Sequence, residues 1–216
     1  PHMPDAALDR LARKLSVGDP AEDAAARRQF VARHAEAVGS TTAEVLQQLL
    51  HDLLDLSRSD SGRLQVKEEA VPLQPLLDTI VRVQGPAYGR FLELTQPDDE
   101  CSLVALGDAS RLHQVLVNLV ENAHKYSPPD QPIQLTVARV AEGLQLEVID
   151  HGIGIPSTDQ PHIFKRFHRG SNTGGYSGSG LGLSVVKLLV EAMGGSITVA
   201  SEPGMGSRFR ILLQSA

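Results

Sequence analysis

Apolar residues recur along the chain with two different periods, and the change of period divides it into two parts. Within residues 21–57 they return at steps of seven, four and three, the spacing of one helix face. These positions are Val38, Val45, Leu49, Leu53 and Leu56. Such spacing is typical of an antiparallel helix pair or a dimer seam. With the shorter helical pattern of residues 4–15, it predicts a helical hairpin over residues 4–62, interrupted at Gly39.

Residues 63–216 show a mixed pattern, and polar residues 57–64 read as the linker before it. Helical periods are predicted at 71–89, 109–126 and 180–195. Alternating or short apolar runs predict strands around 92–96 and 102–108, one hairpin over 132–150 and another over 196–213. A glycine-rich irregular stretch runs from 151 to 179. We therefore predict an α+β fold, a two-layer α/β sandwich preceded by the helical hairpin.

Composition narrows the class of protein. The 216 residues are 41% hydrophobic and 21% charged, as in soluble globular proteins. A formal net charge of −6 argues against non-specific nucleic-acid binding, which requires a basic surface. A single cysteine, Cys101, excludes an internal disulfide, and no apolar run approaches the about 18 residues of a membrane span. Residues 1–3 read as a cloning remnant, so we expect the natural chain to extend further upstream.

A polar face on the predicted helix 109–126 is the first candidate site. In "NLVENAHKYSP", Asn118, Glu121, Asn122 and Lys125 follow one another at steps of three and four and so share one side of a helix. Amide and carboxylate oxygens suit Mg²⁺, which is usually shared with substrate phosphates, and an ammonium group suits a phosphate. The alternative is a solvated helix face.

The second candidate is "DHGIGIP", directly after a predicted strand. Asp150 at the strand end can accept a hydrogen bond from an exocyclic amine. Gly152 and Gly154 allow the chain to turn tightly and to approach a flat ligand closely. An ordinary strand-end turn would use the same glycines.

The third candidate is "SGSGLGLSVVK", where three glycines lead into a helix. They are Gly178, Gly180 and Gly182. Backbone N–H groups at a helix start, approached closely, form an anion site, and a flexible lid is the structural alternative.

The fourth candidate is "IFKRFHRG", in which Phe164 and Phe167 can anchor a loop by burial. Arg166 and Arg169 can then reach a terminal phosphate, whereas we interpret Lys165 as a solvated charge.

These four motifs and a closing "GMGSRF" hairpin occur in one order. Together they resemble the N, G1, F, G2 and G3 boxes of the ATP-binding domain of sensor histidine kinases, in the GHKL ATPase superfamily. The resemblance covers about residues 66–216, and we take 63–216 as the ATP-binding catalytic domain. It implies ATP and Mg²⁺ as cofactors and the transfer of the γ-phosphoryl group to a histidine.

The resemblance also implies roles for single residues. Asn122 would coordinate Mg²⁺, Asn118 would supply the motif's other amide, and Lys125 and Tyr126 would meet phosphate and adenine. Asp150 would bond the exocyclic amine of adenine, which discriminates against the carbonyl of guanine.

The loop motifs receive roles in the same way. Arg169 would stabilise the γ-phosphate, with Arg166 a weaker candidate, and Ser207 would help to hold the base through its hydroxyl. The glycines would form the two glycine boxes, and residues 170–177 a lid. The first box is Gly152 and Gly154, and the second Gly178, Gly180 and Gly182.

The predicted hairpin resembles part of the dimerisation and phosphotransfer domain, which implies a homodimer in the intact protein and a response regulator as partner. The phosphoacceptor box of that family, a His followed by Glu or Asp and then Pro-Leu, is absent. His51 precedes Asp52 but lacks the rest of the box, and His34 has no acidic follower. We therefore expect this chain to bind ATP or ADP without transferring phosphate to itself. We also expect it to lie in the cytoplasm. Any membrane contact would be made only through a region upstream.

Two other classes keep part of this interpretation. A GHKL ATPase, or a serine kinase acting on a regulatory protein, would keep the ATP site. Such ATPases usually place a glutamate at the position of Asn118 to activate water, and an asparagine cannot act as that base. A non-catalytic dimer module would keep only the fold.

Overall fold

The computed structural model describes residues 42–87, 89–97, 103–176 and 178–216, with the backbone alone for 42–49. The predicted hairpin is therefore described only in its last helix, α1 (Thr42–Asp60). Its remainder, residues 4–41, lies outside the described residues, as does Cys101. The helix continues through 57–60, which the sequence had suggested to be linker, and the chain then turns at Gly62 with a φ of +66°. The polar residues form the last helical turn because no helix breaker precedes that glycine.

The rest of the described chain alternates strands and helices as predicted, with one addition. The strands are β1 (Glu69–Pro72), β2 (Leu92–Thr95), β3 (Val104–Gly107), β4 (Ile133–Val140), β5 (Gly143–Asp150), β6 (Ser196–Glu202) and β7 (Gly206–Leu213). The helices are α2 (Leu73–Ala87), α3 (Ala109–Tyr126) and α4 (Gly182–Ala192). The irregular stretch after β5 contains one short 3₁₀ turn, Gln160–His162. Within the described residues, no helix is both long and apolar enough to cross a membrane.

Strand β1 corrects the prediction that a helix begins at Val71. Val71 is buried and pairs with Ala105 of β3 in a two-stranded antiparallel sheet. The Leu73 N–H then donates to the Leu103 carbonyl at 2.9 Å, so the ladder runs to the first residue of α2. A four-residue strand has too few alternations to be distinguished from the amphipathic helix that follows it.

The main sheet has five strands in the order β2-β4-β5-β7-β6. All neighbours are antiparallel except β2 and β4, which are parallel. Alternate residues of the central strands are buried under the helices, as a sheet covered on one face requires. They include Ile133, Leu135, Val137, Leu144, Leu146, Val148, Phe209, Ile211 and Leu213. This confirms the two-layer α/β sandwich.

Helix α3 belongs to both the core and the polar face. Its N-cap is Asp108, whose carboxylate accepts the backbone N–H groups of Ser110 and Arg111 at 3.0 and 3.2 Å. This cap satisfies donors that a helix start leaves open. The apolar side of α3, including Leu116 and Leu119, is fully buried, and the opposite side carries the polar motif. The core therefore holds the polar motif in place.

Helix α1 packs on this sandwich through both apolar and charged contacts. Leu56 joins the core, and the buried Asp55 carboxylate accepts bonds from Arg111 Nη1 and Gln114 Nε2 at 2.9 and 3.1 Å. At the end of the helix, the two oxygens of Asp60 accept both terminal nitrogens of Arg166 at 2.5 and 2.7 Å. The helix is thus held at two places.

Candidate nucleotide site

The polar motif of α3 faces the start of α4. Asn118 is buried, and its Oδ1 lies 3.3 Å from where a β-carbon on Gly182 would stand. Asn122, one turn further along, is half-buried. A side chain at Gly182 would crowd the Asn118 amide, so this glycine lets the two helices approach closely. The structure brings the first and third sequence motifs together.

Asp150, the last residue of β5, lies at the C-terminal end of α3, beside Ser127. Its carboxylate is buried, and Oδ1 accepts the Gly152 N–H at 2.8 Å and the Ser127 hydroxyl at 3.4 Å. Burial raises the pKa of Asp150, while bonds from Gly152, Ser207 and Ser127 oppose that rise by stabilising the charged form. A buried, oriented carboxylate is suited to accepting a donor from a flat ligand.

The first pair of glycines is required by close backbone contacts. A β-carbon on Gly152 would overlap the Tyr126 carbonyl and stand 2.9 Å from Asp150 Oδ1. Gly154 has a φ of +64°, and a β-carbon there would overlap the carbonyl of Glu202. The Ile153 N–H also donates to the Tyr126 carbonyl at 3.1 Å. The turn after β5 is therefore joined to the end of α3 and to the turn of the second hairpin.

Ser207 pairs with Asp150 across β5 and β7. Its hydroxyl oxygen is 3.1 Å from the Ser201 Oγ, which donates to the Gly206 carbonyl at 2.7 Å and accepts the Ile155 N–H at 2.8 Å. Because the proton of Ser201 is engaged by Gly206, Ser207 is the donor between the two hydroxyls. The Ser207 oxygen keeps its lone pairs for accepting further bonds.

Lys125 and Tyr126 occupy the end of α3 beneath the glycine-rich segment. The Lys125 Nζ lies 4.8 Å from the centre of the Tyr126 ring, a cation–π contact, and against Gly178. Burial, and then the nearby Arg169, lower the pKa of Lys125 from 10.5 to about 8. The Tyr176 ring packs on that of Tyr126, with centroids 5.0 Å apart and planes at 59°.

Arg169 is near this cluster, whereas Arg166 is directed elsewhere. The Arg169 Nη2 donates to the carbonyl of Thr173 at 2.9 Å and to that of Tyr176. Arg166 is paired with Asp60 of α1, and Lys165 is exposed, as we expected for a solvated charge. Of the cations in the fourth motif, Arg169 is therefore the one beside Lys125.

The start of α4 has the features of an anion site. Its N-cap residue, Leu181, makes no side-chain capping bond, and the Ser179 hydroxyl accepts the Leu181 N–H at 3.1 Å. Gly180 has a φ of +73°, and a β-carbon there would stand 2.8 Å from the His168 carbonyl. Phe167, the residue before His168, has a φ of +61°, a conformation rare for an aromatic residue. The loop thus reaches α4 through left-handed backbone at two residues, and α4 begins without a side-chain cap from its N-cap residue.

Sequence reasoning missed Ser127 and Tyr176 of this site, and Ser201 beside Ser207. Ser127 directly follows Tyr126 in the helix motif and contacts Asp150, so its position in that motif was a usable signal. Tyr176 is an aromatic residue within a run rich in Gly and Ser. A segment that served only as a flexible connection would not need an aromatic side chain, so Tyr176 was a weak signal. Its contact with Tyr126 spans fifty positions of chain and depends on the tertiary fold.

Comparison with known protein families gives a match over residues 107–216. The matching model is that of the histidine kinase-, DNA gyrase B-, and HSP90-like ATPase. The matched residues contain α3, Asp150 and the glycine-rich segment, which are the elements that form the candidate site.

Curated relatives extend the likeness to most of the chain. "Sensor protein KdpD" of Escherichia coli is 32% identical over 182 residues, 83% of this chain and 20% of that protein. "Probable sensor histidine kinase TcrY" of Mycobacterium tuberculosis is 36% identical over 175 residues, 79% of this chain and 36% of that protein. The chain therefore spans only about a fifth to a third of the length of these relatives.

Solved structures show the same fold. The structure of the "Mycobacterial sensor histidine kinase MprB" is 28% identical, with a TM-score of 0.59, and the match covers 69% of this chain and 100% of that one.

Proposed function

Because the chain belongs to the family of histidine kinase-, DNA gyrase B- and HSP90-like ATPases, we propose that it is the ATP-binding catalytic part of a two-component sensor histidine kinase. The observation that carries this proposal is the meeting of the amide face of α3, the open start of α4 and the buried Asp150 in one site. Each end of that site suits a different part of ATP.

The base lies at Asp150. Its carboxylate accepts the exocyclic amine of adenine, and the Ser207 oxygen offers a second acceptor nearby. Guanine presents a carbonyl at the corresponding place, which would face the carboxylate and leave a buried acceptor without a donor. This arrangement favours adenine over guanine.

The phosphates lie between α3 and α4. Lys125 and the N–H groups at the start of α4 meet their negative charge, and Arg169 reaches the γ-phosphate after leaving the lid carbonyls. Among the described residues, no group of three or more His, Cys, Asp or Glu side chains forms a metal cage. A single amide ligand at Asn122 fits Mg²⁺, which takes its other oxygens from phosphates and water. The ion supplies charge neutralisation of the phosphates.

The reaction is transfer to a histidine nitrogen. A nitrogen–phosphorus bond forms as the bond between the γ-phosphorus and the bridging oxygen breaks, and ADP leaves. Asn118 supports transfer over hydrolysis, because an amide cannot remove a proton from water. None of the chain's eight histidines lies in a phosphoacceptor box, so the acceptor histidine lies outside residues 1–216. In the intact protein, a homodimer presents that histidine and a response regulator receives the phosphoryl group.

Mg²⁺-dependent ATP binding tests this proposal. Titration calorimetry with ATP is run with excess Mg²⁺ and again with a chelator, on the wild type and on Asn122→Ala. We expect Mg²⁺ to tighten binding to the wild type and to have little effect on the variant, because the variant lacks the metal ligand. Loss of one charge-assisted contact of about 1.5–3 kcal/mol corresponds to about a tenfold to hundredfold weaker affinity.

Gln131→Ala serves as the control, since Gln131 is exposed on the loop before β4. Absence of ATP binding by the wild type would refute the proposed function, and an unchanged Mg²⁺ effect in Asn122→Ala would refute the metal assignment. Incubation with radiolabelled ATP should leave the chain itself unlabelled. An acid-labile phosphohistidine on it would contradict the placement of the acceptor elsewhere.

A further inference from the structure

Arg90 lies outside every motif of the site, in the segment between α2 and β2. The end of α2 fixes its position. The Arg90 N–H donates to the Gly85 carbonyl at 2.9 Å, and Gly89 turns the chain with a φ of +63°. This glycine-based helix end directs the half-buried Arg90 side chain towards the last residues of α3.

The guanidinium group meets the end of α3 at Ser127. Arg90 Nη2 donates to the Ser127 carbonyl at 2.7 Å, and Ser127 is the C-cap residue of the helix. A positive charge at a helix C-terminus is favourable because the last carbonyls carry partial negative charge. The hydroxyl of the same buried residue donates to Asp150 Oδ1 at 3.4 Å. A continuous path therefore runs from Arg90 through Ser127 to the carboxylate that faces the base.

The contact with the helix end engages only one of the two terminal nitrogens of Arg90. Arg90 Nη1 is buried, and among the described residues it has no hydrogen-bond partner. An apolar side chain would fill the same space without desolvating a cation. The nearby His124 is also buried, and burial, with a smaller effect of Arg90, lowers its pKa to about 4. At neutral pH the imidazole is uncharged, so Arg90 and not His124 supplies the positive charge at the Ser127 carbonyl.

We propose that Arg90 is a positioning residue for adenine recognition. By holding the Ser127 carbonyl, it places the Ser127 hydroxyl on Asp150 and keeps the carboxylate oriented towards the exocyclic amine. Arg90 touches neither nucleotide nor metal and acts through Ser127. This inference rests on the proposed function, since it assumes that the base lies at Asp150.

The test compares ATP with purine riboside triphosphate, which lacks the exocyclic amine. Both dissociation constants are measured for the wild type and for Arg90→Met, which keeps bulk but removes the charge and the donor. We expect ATP to bind about tenfold more weakly to the variant, the loss of one such contact, while the analogue changes less than about twofold. A general loss of structure would weaken the binding of both ligands equally. The ratio of the two dissociation constants therefore reports the positioning of Asp150.

Three further variants sharpen the test. Arg82→Met, at an exposed position of α2, should change neither ligand. Arg90→Lys, which keeps a charge and a donor, should restore much of the ratio. In a Ser127→Ala background, Arg90→Met should change the ratio no further, because the two residues act on the same path.

Each outcome decides between the two proposals. If the wild type does not prefer ATP over the analogue, base recognition at Asp150 fails. If the wild type prefers ATP and Arg90→Met keeps that preference, or weakens both ligands equally, the positioning role is overturned. If Arg90→Met does not fold by circular dichroism, Arg90→Gln replaces it, and an unchanged ratio in that variant overturns the role as well.

Discussion

The ammonium group of Lys125 loses its proton at a lower pH than an ordinary lysine does. Burial and the neighbouring Arg169 lower its pKa to about 8, so near that pH a substantial fraction of the molecules carry a neutral amine. A bound phosphate would compensate both effects, because it supplies negative charge beside the amine. The pKa of Lys125 is therefore expected to rise when nucleotide binds.

Nucleotide binding should take up protons around pH 8. The window runs from about pH 8, the pKa of Lys125 in the free protein, to the higher pKa of Lys125 in the nucleotide complex. Within it the free protein holds fewer protons on Lys125 than the complex does, so the affinity for nucleotide falls as the pH rises. Calorimetry at pH 8 in buffers of different ionisation enthalpy measures the uptake. We expect a sizeable fraction of one proton per nucleotide.

The matched variants are Lys125→Arg and Lys125→Met. Arginine stays charged, so Lys125→Arg should bind nucleotide without proton uptake. Lys125→Met should bind about tenfold or more weakly, as expected for a lost charge-assisted bond. Proton uptake that persists in both variants would assign it to another group.

Among single residues, the sequence predicted those within the motifs better than those beside them. Asn118 and Asp150 could be recognised because helical period and strand end place them on the edges of regular elements. Ser201 and Tyr176 could not, since each contacts a residue from a distant part of the chain, Ile155 and Tyr126 respectively. Their contacts depend on how the hairpins and the lid pack, which no local pattern records.

At the scale of the element, α1 is fastened by two carboxylates in different surroundings. Asp55 is buried and has two donors, whereas Asp60 pairs with Arg166 near the surface. The hydrogen bond from Arg166 lowers the pKa of Asp60. Buried pairs are costly to break, and exposed pairs contribute little.

Asp55→Ala should therefore destabilise the protein more than Asp60→Ala. We expect a loss of about 2–3 kcal/mol for Asp55→Ala, because Arg111 and Gln114 lose their acceptor, and of less than about 1 kcal/mol for Asp60→Ala. Urea unfolding monitored by circular dichroism measures both. Asp130→Ala, at an exposed position in the loop after α3, is the control, and equal losses for Asp55 and Asp60 would contradict this interpretation.

Long elements were predicted well, and short ones were not. The eighteen residues of α3 and the eight-residue strands β4 and β5 show enough periods to be recognised. Strand β1 has four residues, and its pairing with β3 provides the information that its own sequence lacks. Likewise, the last turn of α1 has polar residues, and its helical state follows from the continuing hydrogen bonds before Gly62.

At the scale of the whole molecule, Arg169 connects the expected lid to the site through the carbonyls of Thr173 and Tyr176. Its guanidinium holds the carbonyls of Thr173 and Tyr176, and Tyr176 packs on Tyr126 of α3. If Arg169 turns to a γ-phosphate, those carbonyls lose their donor. Tyr176 should then leave Tyr126, and the lid should rearrange.

Tyrosine fluorescence can follow this rearrangement, since the chain has three tyrosines and no tryptophan. We expect ATP to change the emission clearly more than an equal concentration of ADP, which lacks the γ-phosphate. Subtracting the ADP signal cancels the absorption of light by adenine. Tyr88→Phe removes the third tyrosine from the background and keeps both Tyr126 and Tyr176.

Arg169→Met and Tyr176→Phe are the matched variants. In Arg169→Met, ATP and ADP should give the same emission, because the residue that distinguishes them is absent. In Tyr176→Phe, the difference should shrink, because one member of the pair no longer emits. A difference between ATP and ADP that survives in Arg169→Met would show that the lid responds through another group.

Helix α3 contributes to both the core and the candidate site, and this affects which substitutions the protein can accept during evolution. One side of its eighteen residues fills the core with Leu116 and Leu119, and the other presents Asn118 and Asn122. A change of volume on the buried side tilts or shifts the helix and so displaces the amides. Neutral drift on the two sides is therefore not independent. Substitutions inside the core are acceptable to selection only in combinations that leave the helix axis where it is.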